Sequence, residues 1–155
     1  MNAPDVLKYG HGWFLKTLDN FPEDKYDKPG ATGTWSVKDV LSHIASYEQV
    51  LCSILEEFIH KNNSEINPIP DHKQFNILEI EKRKNKKFQE IFDEYNLAYE
   101  KVAKLIVKIP AFKLAENGTL PWYGEEYSLD DYLVYSYYGH KREHGAQISE
   151  FKNSL

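Results

Sequence analysis

Residues 34–48 read TWSVKDVLSHIASYE. Ser36 with Asp39 three places on is the pattern in which a hydroxyl and a carboxylate cap each other's backbone amides and start a helix. From there Val37, Leu41, Ile44, Leu51, Leu55 and Phe58 recur at helical spacing, widened by Val40, Tyr47 and Ile54, so a helix with one buried face is expected to about His60. The same opening returns at Tyr127-Ser128-Leu129-Asp130-Asp131, and a second such helix is expected from there to about Lys152. Two further periodic segments complete the set. One runs from about Asp5 to Asn20 with Leu7, Phe14, Leu15 and Leu18 apolar. The other runs from about Asn76 to Ile109, carries Phe88, Ile91, Tyr95, Ala98, Val102 and Leu105 on one side, and ends at Pro110.

The connections are rich in Pro, Gly and Asn. Residues 23–34 hold Pro29-Gly30 and Gly33, and 62–72 hold Pro68 and Pro70. Residues 112–127 hold Asn117-Gly118, Pro121 and Gly124, a turn-rich segment with room for a short hairpin before the last helix. Helices of this length with three connections predict an all-α four-helix bundle, and the long connection after the second helix permits a crossover. The charged run from Glu81 to Lys87 reads as a solvated helix face or a frayed end.

The 155 residues suit one domain spanning 1–155. The lone cysteine, Cys52, excludes an intramolecular disulfide framework, which favours a reducing, cytoplasmic setting, and its helical phase marks it as a small buried hydrophobe. A net charge of −5 offers nucleic acid no electrostatic footprint. No apolar run approaches the ~20 residues that span a bilayer, and the N-terminus lacks a signal-peptide pattern, so neither nucleic acid nor membrane is an expected partner.

Six histidines remain to be placed. His140 and His144 fall on the inward face of the last helix with Leu129, Leu133, Ser136, Tyr137, Gln147, Ile148 and Phe151. Two buried imidazoles one turn apart each need a hydrogen-bond partner or a metal, and an i, i+4 pair aims both rings at one spot. His43 lies at the edge of the second helix's stripe. At ~1.5 Å per residue it is ~10 Å past the Ser36 cap, and His144 is ~12 Å before the end of the fourth helix. Antiparallel packing therefore brings His43 level with His144, whereas parallel packing sets it against Tyr135. Three neutral imidazoles on a divalent ion leave positions open for water or substrate. His11, His60 and His72 read as solvent-exposed. Neither H-E-x-x-H nor paired Glu-x-x-His occurs.

With KPGATG before it, the TWSVKDVLSHIASYE stretch and the later YYGHKREHGAQI resemble the two signature regions of the DinB/YfiT-like superfamily of four-helix bundles. The matching positions are Trp35, Ser36, Asp39, Leu41 and His43, then His140, His144 and Gln147. The resemblance covers nearly the whole chain and implies an up-down-down-up bundle. It also implies a divalent transition metal, commonly zinc or nickel, held by His43, His140 and His144, and often a homodimer. Some relatives are metal-dependent transferases or isomerases that use low-molecular-weight thiols. A ClbS/DfsB-like branch instead protects cells from a reactive metabolite without an obvious three-histidine site. Many members carry Arg directly after the second histidine of the fourth helix, where this chain has Gly145.

These observations lead to the expectation of a metal-dependent enzyme, a thiol-dependent S-transferase or hydrolase, acting on a small molecule. Glu48, inside the second helix's stripe, is the candidate general base or acceptor for a histidine N–H, with a buried carboxylate paired to a tyrosine hydroxyl, or one that escapes to the bundle end, as the alternative. Tyr47 and Tyr137 lie one turn from ligands on their own helices and could line the pocket or donate to developing charge, with plain packing as the alternative in so Tyr-rich a chain, and Gln147 could orient His144 or bond a metal-bound water. The competing expectations are a metal-free small-molecule binding or self-protection protein, and an interaction module with a vestigial site.

Overall fold

The computed structural model describes residues 2–155. The chain forms α1 (Ala3–Leu18), α2 (Val37–Lys61), α3 (His72–Lys82), α4 (Phe88–Ile106), a one-turn α5 (Ala111–Leu114), and a last long helix made of α6 (Leu129–Leu133), a π-helical turn (Val134–Tyr138) and α7 (Gly139–Asn153). Both expected capping boxes form. Ser36 Oγ accepts the Asp39 amide while the Asp39 carboxylate accepts the Ser36 amide, and Ser128 and Asp131 repeat the exchange. Asn62 in the left-handed conformation, φ 60°, closes α2.

Contacts between helices fix their directions. Gln49 meets Glu94, Cys52 meets the Ala98 carbonyl, and Lys101 meets Glu56, so α2 and α4 run parallel. Gly10 faces Tyr138, Trp13 faces Gly145, and Lys152 reaches the Asp19 carbonyl, so α1 and α7 run parallel. His43 meets His144 while Tyr47 meets Tyr137, and His11 stacks on Tyr99 while Phe14 meets Tyr95. The α2/α7 and α1/α4 pairs are therefore antiparallel, and the bundle runs up, down, down, up.

The core divides into two apolar clusters. One is built on Leu7, Leu51 to Phe58, Ala98 to Ile109, Leu129 and Tyr137. The other is built on Phe14, Val37 to Ala45, Ile91, Tyr95 and Ile148. All four long helices cross from one cluster to the other at the same level, and the buried polar residues His43, Glu48, Lys141 and His144 lie there. The candidate site belongs to this polar layer.

Two expectations about the middle of the chain need correction. The third segment is not one helix from Asn76 to Ile109. α3 starts earlier, at His72, where Asp71 accepts the Gln74 amide, and the chain breaks at 83–87 before α4. The charged run contains the reason. Arg83 is 2% exposed, with bonds to Glu79, Glu94 and Gln49 that anchor the turn between α3 and α4. Its neighbours in the run are solvated as expected. The turn-rich segment before the last helix holds a single antiparallel bridge, Asn117 to Ser128, and the described residues contain no strand.

Candidate metal centre

α2 contributes His43 and α7 contributes His140 and His144. The Nε2 atom of His140 lies 2.8 Å from that of His43 and 2.9 Å from that of His144, and the ligating atoms of all three are within 4.8 Å of one another. The structure thus brings together the three histidines singled out by helical phase, in the antiparallel register that phase required.

The donor set fits a divalent ion. His144 Nδ1 lies 2.8 Å from Gln147 Oε1, an acceptor, so the ring proton sits on Nδ1 and Nε2 presents a lone pair. Thr32, carried by the loop before α2, donates its hydroxyl to the same oxygen at 2.6 Å and holds the amide in place. Burial, reinforced by charge repulsion from His144, pushes His43 down to about 3. Burial and the neighbouring histidines push His140 down to about 2, and His144 is lowered mainly by burial. All three rings are therefore neutral at pH 7, the state in which imidazole ligates. The His140 contacts, 2.8 and 2.9 Å, are closer than two nitrogens stand on one ion, so His140 would have to draw back from its partners to hold one. His43 Nδ1 and Asn76 Oδ1 are both buried without a hydrogen-bond partner, and Asn76 stands close enough to favour the charged form of the ring. A small closure there would give His43 the support that Gln147 gives His144.

The π turn decides how the last helix presents these residues. The Gly139 amide bonds the carbonyl five residues back, at Val134, so one extra residue is inserted. Burial shifts from the Ser136/His140 row to the Tyr137/Lys141 row: Lys141 and His144 are buried, whereas His140 sits half-buried at the lip. A recess of about 260 Å³ opens over it, bordered by Tyr47, His72, Tyr135, Ser136 and Glu143. A larger recess of about 390 Å³, beside Cys52 and Leu97 between α2 and α4, holds none of the histidines.

Tyr47 lines the histidine site. Its ring is 4.7 Å from that of His43 and 5.2 Å from that of His140, and its hydroxyl is 2.7 Å from His72 Nδ1. Tyr137 is fully enclosed and donates its hydroxyl to the Tyr47 carbonyl at 3.0 Å, which ties α7 to α2. Glu48 is entirely buried and faces Lys141, with Oε2 2.9 Å from Nζ, rather than a tyrosine or a histidine. The approach is off the hydrogen-bonding direction, leaving both carboxylate oxygens and the ammonium without a hydrogen bond.

The sequence reading missed several neighbours. His11, expected in solvent, stacks on Tyr99 at 3.6 Å and bonds the Tyr95 hydroxyl at 2.9 Å. Its place in the Leu7, His11, Phe14, Leu18 row was the available signal. His72 is exposed as expected, yet it reaches the site through Tyr47. Gly145 also gains a reason. A Cβ there would fall inside the Trp13 indole, whose ring carries the Arg142 guanidinium 4.0 Å from its centroid. At Gly145 the chain packs an indole against bare backbone.

A bundle with three neutral histidines converging from antiparallel helices defines a class of helical proteins with a potential metal-binding core. The model of the DinB superfamily matches residues 11–148, and the chain belongs to that superfamily, which includes metal-binding proteins. No curated protein and no solved structure matches the chain.

Proposed function

We propose that this protein is a divalent-metal-dependent enzyme acting on a small molecule, with zinc or nickel held by His43, His140 and His144. The observation that carries the proposal is the convergence of three Nε2 atoms, one of them at the lip of an open recess. Imidazole donors suit zinc and nickel, and three of them leave room for an exogenous ligand. The ion would supply Lewis acidity that makes water or a low-molecular-weight thiol nucleophilic at neutral pH. The remaining work falls to the chain's own residues. Gln147, backed by Thr32, keeps the His144 proton on Nδ1. The Tyr47 hydroxyl, paired with His72 at the mouth, is the proton-bearing group placed to meet charge developing beside His140. Glu48 acts as a positioning residue: through Lys141 it sets the rotation of α7 against α2.

Elemental analysis of protein purified without a nickel column tests this reading. Close to one equivalent of a transition metal is expected, with loss of metal in His140→Ala. Less than about one-tenth of an equivalent, even after incubation with zinc or nickel, overturns it and favours a metal-free binding or self-protection role. Cobalt substitution separates the two chemistries, because a thiol at the site produces an intense charge-transfer absorption and water does not.

A further inference from the structure

Behind the Tyr47–His72 pair lies a second recess of about 140 Å³, lined chiefly by Ile69, Trp122, Tyr123 and Tyr132. It shares Tyr47, His72 and Ser136 with the recess that reaches His140, so the two spaces meet along one wall. Three of its rings form a cluster. Tyr132 lies 5.2 Å from Trp122 and 4.9 Å from Tyr123, with interplanar angles of 87° and 74°, so ring edges meet ring faces. The Trp122 indole is held in place by donating to the Ser64 carbonyl at 2.8 Å.

The recess opens to solvent beside the exposed Pro68 and His72, so a ring can enter it from outside. A space of ~150 Å³ with apolar walls is the size that admits one benzene ring. No carboxylate, lysine or arginine lines the recess, so it offers a charged ligand no ion-pair partner. Its polar lining consists of Asn67, Ser136, His72 and tyrosine hydroxyls.

We propose that this recess is the seat for an uncharged aromatic ring of the substrate, so that the substrate class is small aromatic compounds whose reactive group reaches past Tyr47 to the histidine site. The inference rests on the metal-site reading, and its test separates the two. Zinc-loaded protein is titrated with acetohydroxamate and with hydroxamates bearing a phenyl ring on methylene linkers of increasing length. Calorimetry measures affinity, and intermolecular nuclear Overhauser effects locate the ring. At least one phenyl compound is expected to bind about tenfold or more tightly than acetohydroxamate, the order of gain for burying a ring of that size. Contacts from its ring protons to Trp122 and Tyr132 are expected. In Trp122→Ala the gain should vanish while acetohydroxamate affinity stays unchanged. A gain below about twofold for every linker, a gain that survives Trp122→Ala, or contacts to other residues overturns the aromatic seat and leaves the metal reading standing. Should Trp122→Ala not fold, the contacts in the unaltered protein decide. If the protein takes up no zinc, the metal reading has failed. The seat is then judged on metal-free protein with phenol, where contacts to Trp122 and Tyr132 support it and their absence overturns it. Binding of tetramethylammonium in place of the neutral rings also overturns it.

Discussion

Lys141→Met is the most informative single change in the polar layer. It removes a buried ammonium whose Nζ lies 2.9 Å from Glu48 Oε2, with the side chains 3% and 1% exposed. At an effective dielectric of ~20 the attraction across that distance is about 6 kcal/mol, and taking each ion out of water costs several kcal/mol, so the intact pair is close to neutral. Breaking it is not neutral. Met leaves the Glu48 carboxylate buried with no charge partner, a situation that costs about 3–5 kcal/mol. In a chain of this length that lowers Tm by about 6–20 °C. Glu48→Gln strands the ammonium and should cost a similar amount. The double variant Glu48→Gln with Lys141→Met leaves no charge behind and should recover most of the loss, with a coupling energy of at least about 2 kcal/mol. Urea unfolding of the four proteins measures the cycle. Single losses below about 1 kcal/mol that add within ~0.5 kcal/mol would refute the reasoning, because they would show both groups reaching water. The double variant also judges Glu48 in function: retained metal with retained activity excludes a general base at that position.

Three further outcomes follow from single contacts. Gln147→Leu should leave folding largely intact and weaken zinc or nickel affinity about 10–100-fold in a competition titration, because His144 loses the acceptor that fixes its proton; unchanged affinity would remove that role. Gly145→Ala should destabilise by about 1–3 kcal/mol in a thermal melt, since its methyl must displace the Trp13 indole, and no loss would mean that α1 yields freely. Burial, with a smaller contribution from Lys141, holds His11 down to about 3. Below its unfolded value of ~6.5 the unfolded chain binds a proton that the folded one refuses, so the His11 contribution is complete above that pH and is lost as pH falls toward 3. Stability of the unaltered protein relative to His11→Phe should drop by about 1–2 kcal/mol between pH 7.5 and pH 5, the lower figure allowing for partial exposure. A difference that does not vary with pH would rule the ring out as a buried neutral group.

Local rules made several elements legible before any packing was known. The two Ser-x-x-Asp boxes act within a single turn, and both form. The phases of His43 and His144 depend on one helix each, and the register that joins them depends on helix lengths. His140 was placed at the centre of the buried stripe, but it lies at the lip because the π turn inserts a residue before it and breaks the 100° rule. The same insertion turns Lys141 inward, where no periodicity argument puts a lysine. Arg83 escaped for a related reason: in a run of charges, only the partners Glu79, Glu94 and Gln49 distinguish the buried residue from its solvated neighbours.

By itself, the amino-acid sequence determined where α2 and the last long helix begin, which stripes are apolar, and which histidines each helix would present if the pair packs antiparallel. Each of these follows from interactions within a few residues along one helix. Tertiary structure alone decided that Glu48 faces Lys141, that the Tyr47 hydroxyl meets His72, and that Trp122, Tyr123 and Tyr132 leave a ring-sized space beside the histidines. Such contacts join residues remote in sequence, and their geometry is set by how the helices and the loops between them rotate and pack against one another.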